Sequence, residues 1–521
     1  MDIVQRSLYI LFGGYAGAVF GHTEFRTGSE IAHTLCGART RFALHQHGSA
    51  LCAVGSLLQA AGVEVTVVKI DPYLNEDAGT LSPEDHGEVF VLDDGTEVDL
   101  DFGHYERALG LTLCGDHSIT SGKLLGQVLQ NERQHKYLGQ TVRLTKQAVE
   151  LDVELITRAA ECPTCRGKAD VCLIELGGAV GDWDAEIHLE ALRRLQRAAP
   201  MVFCLMVPLV AWGGEQKTKL AQDSVRRLRA CGIAVDFLIC RTDDPVADKT
   251  KSKLADLCDV HPEAVWASIT MADISQLPLH FYRQGVLTMI SSRLRLTVNE
   301  PDMGFFRGSS PGGRELEVAV NGKYEHQDAY ISIFRALEDA ARACDASVRF
   351  RKGNCDVSDK VPDALCVPGG FGARGFEELV ELCRFSRVEG LPFLGICWGF
   401  QAAVIALARD FGYPCACSQE VEEDAMPPHA IVVKRRDGIL RKGASKVRLP
   451  EGRMQALYAE SSKSVAESSV ERYRNRFEVW PGVKEQLQEH GVLFGFGPDN
   501  EVDAFELPTH PFYMDAVSYV S

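Results

Sequence analysis

The residue best disposed for chemistry is a cysteine set between glycines. Phe393-Leu-Gly-Ile-Cys397-Trp-Gly399-Phe-Gln401 reads as an apolar strand ending at Cys397, followed by the helical run Ala402–Ala408. A sharp strand-to-helix turn exposes the side chain at its apex, and the N-terminus of the next helix stabilises a thiolate and offers backbone N–H groups. Upstream, Pro368-Gly-Gly370-Phe-Gly372 is a second glycine turn whose amides can complete an oxyanion hole. An isolated Gly-x-Cys-x-Gly is as often a buried thiol in a tight turn. The paired glycine turn at this spacing favours a nucleophile.

A second set of reactive groups lies nearer the start of the chain. The run from Lys69-Ile-Asp71-Pro through Glu88-Val-Phe-Val-Leu and Asp99-Leu-Asp101 to Arg107 strings carboxylates along turns just after an apolar strand. There they could hold a magnesium–nucleotide complex through oxygen ligation. A merely acidic, solvated loop explains the charge but not the interleaved Val-Phe-Val-Leu. Glu175, inside the apolar run Val171–Leu176, is costly to bury unless a metal or a donor receives it. Lys217-Thr218-Lys219 with Gln222 suits a triphosphate, although two lysines alone are usually surface charge. Cys162-Pro-Thr-Cys165 is a single Cys-x-x-Cys with no second ligand pair nearby, a weak zinc or redox signal.

These residues need rigid elements to hold them. Val65–Ile70, Val171–Leu176, Met201–Val207 and Ile233–Cys240 are β-rich runs of strand length, with an amphipathic stretch at Ser224–Cys231. The alternation predicts an α/β fold, a mostly parallel sheet covered by helices. The pattern stops at Asn299-Glu-Pro-Asp and Gly308-Ser-Ser-Pro-Gly-Gly and then restarts with Leu316–Val320, a helix over about residues 328–344, Ala364–Val367 and Pro392–Ile396. We therefore expect two α/β domains, residues 1–297 and 314–521, joined by a linker over 298–313. Ser7–Gly21 is too short to span a bilayer and reads as a strand entering a glycine turn. The net charge of -17 disfavours nucleic acid, and 17 scattered cysteines fit a reducing, cytoplasmic compartment better than a disulfide scaffold.

The two motifs around Cys397 resemble the triad-type class I glutamine amidotransferases. That resemblance implies Cys397 as nucleophile, with Gly370, Trp398, Gly399, Phe400, Gln401, Glu420 and Arg476 binding glutamine. The 39 residues from Lys69 to Arg107 resemble the CTP synthase signature almost without interruption. Val171-Cys-Leu-Ile-Glu175-Leu-Gly-Gly-Ala-Val-Gly181-Asp182-Trp183-Asp184 and Gly214-Glu-Gln-Lys217-Thr-Lys219-Leu-Ala-Gln222 extend that likeness. By it, Asp101 and Glu175 are the magnesium ligands. Lys69, Asp101, Asp182, Trp183, Asp184, Lys217, Thr218, Lys219, Gln222 and Lys253 contact nucleotide.

The resemblance implies a P-loop-like synthetase domain and a glutamine amidotransferase domain. It implies phosphorylation of the UTP 4-oxygen by ATP, then displacement of phosphate by glutamine-derived ammonia to give CTP. It further implies Mg2+, GTP as activator, CTP as feedback inhibitor, and homotetramers that can form filaments, without a nucleic-acid or membrane partner.

The chain departs from the pattern in four places. Residues 15–47 are an atypical insert, and His47 stands where a phosphate-loop lysine is expected. Trp183-Asp184 replaces the usual Ile-Glu, and Asn475 replaces His in Arg474-Asn-Arg-Phe-Glu478. After His510-Pro-Phe the chain reads Met514-Asp-Ala-Val-Ser-Tyr-Val-Ser521 where the family has His-Pro-Glu, which we read as a C-terminal truncation. A second reading follows, of a catalytically impaired homologue that binds nucleotides or joins an assembly.

Overall fold

The computed structural model describes residues 8–14, 46–164, 167–271, 273–302, 313–352, 361–435, 438–462, 467–510 and 513–516. The insert and His47's side chain lie outside the described residues, as do Cys165 and most of the linker. The contacts divide the chain into two compact units, Met1–Asp77 with Asp101–Gly308, and Ala78–Leu100 with Ser309–Ser521.

The first unit is a seven-stranded sheet in the order Val265–Ile269, Phe237–Thr242, Met201–Pro208, Leu8–Gly14, Val171–Ala179, Val65–Asp71, Ser118–Thr120. Every pairing in it is parallel. Strands so placed have helices on both faces, which is why Val65–Asp71 is buried at every position, Thr66, Lys69 and Asp71 included. The helix Gln46–Ala60 packs on Asp101–Leu109 at a close crossing. A methyl at Gly55 would stand 2.7 Å from Leu109 and 2.8 Å from Leu173, and one at Gly48 would stand 2.5 Å from an Asp101 carboxylate oxygen. Glycine at these positions lets Asp101 sit against the helix.

One expected strand begins later than its sequence suggests. The ladder starts at Phe237, not at Ile233. Ile233 N–H instead donates to Leu228 C=O, closing the end of helix Lys219–Ala230, and Ile233 and Val235 are buried from that cap. Asp236 follows, its carboxylate accepting from Phe203 N–H at 2.9 Å.

The second unit carries a nine-stranded sheet with two halves. Ser347–Lys352, Glu315–Val320, Ala364–Val367, Phe393–Ile396 and Tyr513–Ala516 pair in parallel. From Tyr513–Ala516 onward, Val502–Leu507, Leu493–Phe496, Arg441–Arg448 and Ser468–Asn475 continue antiparallel. Helix Trp398–Asp410 runs through the core with every residue from Trp398 to Ala408 buried. The expected helix near 328–344 is a 3-10 turn, Gln327–Tyr330, continued by Ile331–Ala343.

Residues 78–100 belong to this second unit although they precede it by more than 200 positions. Phe90–Val91 pairs with Glu97–Val98, and Glu88 accepts from Ser332 N–H at 3.0 Å at the start of helix Ile331–Ala343. Glu97 receives Arg474 Nε at 2.7 Å and Lys442 Nζ at 2.8 Å. Burial raises the Glu97 carboxyl, but hydrogen bonds from Lys442 and Arg474, and then their charges, outweigh it and hold it below its usual range. These carboxylates tie the hairpin to the unit. Among the carboxylates of the 69–107 run, Asp71 and Asp101 are the two that gather around Lys69.

Candidate functional site

Two groups of side chains answer to the chemistry read from the sequence, one in each unit. In the first unit Lys69 and Glu175 are direct register partners on adjacent parallel strands. Side chains in register lie on one face of a sheet, so the ammonium meets the carboxylate. Lys69 Nζ is 2.9 Å from Glu175 Oε1 and 2.5 Å from Asp101 Oδ2, with Asp71 at 3.9 Å. Tyr105 OH donates to the other Glu175 oxygen at 2.5 Å. All five side chains are buried.

Electrostatics in this cluster follow from counting charges. Burial alone would depress Lys69, but Asp101 and Glu175 outweigh it and hold the ammonium's pKa well above its ordinary value. Burial is also the leading influence on Glu175, whose pKa is raised even though Lys69 opposes the shift. Asp101 and Glu175 both contact the ammonium, and Asp71 stands farther out. The expected metal ligands Asp101 and Glu175 are therefore brought together, with the expected nucleotide contact Lys69 between them. Tyr105 and Asp71 were not singled out by type, although both stand in the same sequence run.

The residues expected to contact the pyrimidine nucleotide are mostly exposed or half-buried. Asp182 accepts from Ala179 N–H at 3.3 Å, and Trp183 is 89% exposed in the short turn Trp183–Ala185. Lys217 lies on the hairpin strand Glu215–Lys217 and pairs with Glu215 at 3.0 Å. Lys217, through a hydrogen bond and then its charge, holds the Glu215 carboxyl below its usual range, with help from Lys249 and Lys253. Three lysines thus converge on one exposed carboxylate, and Lys249 joins the two named from sequence. Thr218 is buried and accepts from Gln222 Nε2 at 2.9 Å, whereas Lys219 pairs with Asp223 at 3.0 Å along its own helix. Thr218 is the N-cap residue of that helix, and Gln222 lies one turn on.

In the second unit the nucleophile turn has the geometry its glycines demand. Cys397 has φ 55° and ψ -96°, a left-handed conformation that L-residues rarely adopt. A methyl on Gly399 would stand 2.1 Å from Val367 C=O, and one on Gly370 would stand 2.9 Å from the Trp398 ring. Only glycine fits at either position. Gly369 lies beside Cys397, its added methyl 3.6 Å from the cysteine Cβ.

Glu420 and Gln401 form a fixed pair next to this turn. Glu420 accepts from Gly372 N–H at 3.0 Å and from Gln401 Nε2 at 2.9 Å, while Ser418 Oγ donates to Gln401 Oε1 at 3.1 Å. Burial raises the Glu420 carboxyl, opposed by those two hydrogen bonds and by the charges of Lys323 and Arg476. Arg476 is exposed, and its charge reaches Glu420. Lys323 was missed by sequence reasoning. It donates to Phe371 C=O and lies 5.9 Å from the Trp398 ring centroid. The Asn321-Gly-Lys323 turn after strand Glu315–Val320 is the signal that could have flagged it.

Two cavities open on Cys397. One, of about 540 Å3, is lined by Glu88, Tyr324, Tyr330, Gly370, Phe371 and Arg474. The other, of about 240 Å3, is lined by Gln401, Val432, Asn475, Phe477 and Glu478. The Asn475 amide donates to Phe477 C=O at 3.0 Å. Three described histidines of this unit are engaged elsewhere: His510 bonds Ser386 C=O at 3.2 Å, His490 stacks on Phe411, and His326 caps Asp328.

The chain matches two family models, "CTP synthase N-terminus" over residues 46–296 and "Glutamine amidotransferase class-I" over residues 325–513. It is 39% identical to a CTP synthase of Methanopyrus kandleri over 496 residues, covering 90% of this chain and 91% of that one. It is 37% identical to a CTP synthase of Archaeoglobus fulgidus, covering 90% of each. A CTP synthase of Drosophila pseudoobscura pseudoobscura is 35% identical, with 88% of this chain and 78% of that one covered. Among solved structures, a Trypanosoma brucei CTPS glutaminase domain with bound acivicin is similar at 25% identity, covering 39% of this chain and 85% of that one with a TM-score of 0.35. No helix among the described residues is long and apolar enough to cross a membrane.

Proposed function

The chain belongs to the CTP synthase family, whose members are glutamine-hydrolysing ligases, and we propose that it divides the family's reaction between its two units. The first takes ATP and UTP and aminates UTP to CTP. The second releases ammonia from glutamine. The observation that carries this reading is Cys397 on its left-handed turn, with Gly370 and the fixed Gln401–Glu420 pair beside it.

In the second unit, the Cys397 thiolate attacks the glutamine side-chain amide. The N–H groups around Gly370 and Trp398 receive the developing oxyanion, since preorganised donors act most strongly where charge appears. Glu420, held by Gly372 and Gln401, faces the substrate ammonium, and Arg476 its carboxylate. In the first unit, Lys217, Lys249 and Lys253 take the triphosphate, displacing Glu215 from its present role as their counter-ion. Asp182, Trp183 and Asp184 contact the pyrimidine nucleotide.

Magnesium fits the buried cluster. Asp101 and Glu175 offer carboxylate oxygens on either side of Lys69. Among the described residues no three His, Cys, Asp or Glu form a ready cage. Mg2+ is commonly held by one or two carboxylates plus water and substrate phosphates, which is what this pair offers. When bound, the ion supplies charge neutralisation to the nucleotide phosphates, and Lys69 keeps both carboxylates oriented. GTP activation, CTP feedback, a cytoplasmic location and homotetramers that form filaments complete the proposal. The exposed ring of Trp212 supports assembly.

A second reading rests on one sequence observation in each unit. No lysine occurs between Gly14 and Lys69, and residues 398–521 contain no His-x-Glu. A nucleophile that lacked its base would be poorly deprotonated, and the ammonia it released would lack a proton donor. The deciding measurement is CTP formation from ATP and UTP with glutamine or with ammonium. Under the first reading, ammonium supports CTP formation and glutamine supports it more slowly. UTP binding with no CTP from either nitrogen source gives the second reading, a nucleotide-binding or assembly subunit.

A further inference from the structure

Cys162 stands in the sequence as half of an isolated Cys-x-x-Cys, and the fold gives it a different neighbour. It is the residue at which helix Val149–Glu161 ends, its N–H donating to Ala159 C=O at 3.2 Å. The end of that helix packs on the turn Gly115–His117, whose first cap is Cys114. An ion pair fixes the approach, with Arg158, one turn before Cys162, donating to Asp116 at 2.9 Å. That packing brings Cys114 near enough that, after burial, it raises the Cys162 thiol. Both are free and partly exposed.

Cys114 also has a base within reach. Its Sγ is 3.3 Å from His117 Nδ1, a ring nitrogen that accepts from Cys114 N–H at 3.2 Å. It also lies 3.2 Å from Cys114 C=O, so in the tautomer with the proton on Nε2 it presents a lone pair toward the cysteine. The ring is held from its other side, Nε2 lying 3.4 Å from Thr66 Oγ1 on the buried strand Val65–Asp71, and His117 is 4% exposed. Two adjacent, solvent-reachable thiols with an imidazole on one of them meet the requirements for thiol–disulfide exchange: an attacking thiolate, a resolving thiol and access.

We propose that Cys114 and Cys162 form a reversible dithiol–disulfide site that reacts with low-molecular-weight disulfides of the glutathione type. Cys114 gives its proton to His117 and attacks one sulfur of the disulfide, whose S–S bond breaks to release one thiolate. The Cys162 sulfur then attacks Cys114, breaking the mixed disulfide and releasing the second thiolate. The two protons from the cysteines end on the two released thiols. The net change oxidises two protein thiols by two electrons and reduces one small disulfide. Burial, and after it the Cys114 thiol, pushes Cys162 up to about 11, which leaves the attacking role to Cys114 and the resolving role to Cys162. Oxidation joins the end of a helix to the turn that precedes the edge strand Ser118–Thr120. The site lies apart from the residues assigned to either half-reaction and does not depend on them.

The test uses the full, folded chain incubated with oxidised glutathione or with dithiothreitol, then alkylated, digested and analysed by mass spectrometry. The expected result is loss of two alkylatable thiols and a linked peptide pair joining Cys114 to Cys162, reversed by dithiothreitol. Cys162→Ser should trap glutathione on Cys114, whereas Cys114→Ser should leave Cys162 reduced. The linked pair is read in the unsubstituted chain, so a variant that fails to fold does not decide the matter. Full alkylation of both cysteines after oxidant overturns the proposal, as does a Cys162–Cys165 link or a link that forms only in urea. Stoichiometric zinc that protects both thiols until a chelator removes it also overturns it, in favour of a metal site.

Discussion

The two cationic groups of the first unit are built on opposite principles. Lys69 sits in the interior with its charge already answered by Asp101 and Glu175, whereas Lys217, Lys249 and Lys253 stand in water around the single exposed carboxylate of Glu215. A buried charge must be satisfied within the protein before any ligand arrives, because desolvation is costly and an orphaned partner costs several kcal/mol. An exposed lysine carries little folding energy and keeps its charge for whatever binds. The first group is therefore a structural commitment and the second a reserve, although Lys69, Lys217 and Lys253 were all named from sequence as nucleotide contacts.

Replacing Lys69 with Met should have the largest effect. It leaves Asp101 and Glu175 facing each other without a counter-charge and should lower stability by about 3–5 kcal/mol in urea unfolding. Magnesium should restore part of that loss, and an unchanged midpoint would break the comparison. Next comes a buried pair with no assigned ligand. His188 Nδ1 and Asp152 Oδ2 are 2.7 Å apart with neither side chain exposed, and Ser121 Oγ lies 2.9 Å from His188 Nε2. His188→Ala should cost about 2–4 kcal/mol without changing nucleotide affinity. That separates the cost of burial from ligand binding.

The pH dependence sharpens the contrast further. The folded pKa of Lys69 is above its unfolded value. Its contribution to stability is then fully present below the unfolded lysine pKa of about 10.4 and is lost as pH rises through the higher folded value. Unfolding midpoints measured at increasing alkaline pH should fall in the natural chain and much less in Lys69→Met. Lys217→Glu should change stability by less than about 0.5 kcal/mol, as surface substitutions usually do. It should nevertheless weaken UTP or CTP binding about tenfold or more in a calorimetric titration, since a phosphate-contacting cation becomes an anion. The smallest effect belongs to salt. Raising it should weaken nucleotide binding through the exposed lysines while leaving the unfolding midpoint nearly unchanged.

The sequence was most legible where local pattern and tertiary environment agree. Val65–Asp71 and Met201–Pro208 are parallel strands shielded by helices, so every position is apolar or internally paired and the run is unbroken. The turn at Cys397 was legible because its glycines are required by contacts within a few residues or on the adjoining strand. Legibility failed where the partner is far away in the chain. In sequence Glu97 reads only as one carboxylate within the run from Lys69 to Arg107, but its donors are Arg474 and Lys442. Nothing near Cys162 points to Cys114, because the encounter depends on how a helix end meets a turn. Lys323 was overlooked for a similar reason: its acceptor is the carbonyl of Phe371.

The hairpin donated by residues 78–100 bears on how such a protein can be inherited or dissected. The family match to a glutamine amidotransferase begins at residue 325, yet the unit that carries it borrows Glu97 to anchor Arg474 and Glu88 to line the cleft at Cys397. A gene fragment starting after the linker would encode the nucleophile, its helix and its oxyanion turn without those two carboxylates. The second unit is thus no interchangeable cassette. Any lineage that recombined the halves at the obvious seam would have had to replace a small piece of sequence from the other side of it, or accept a glutaminase with a missing wall.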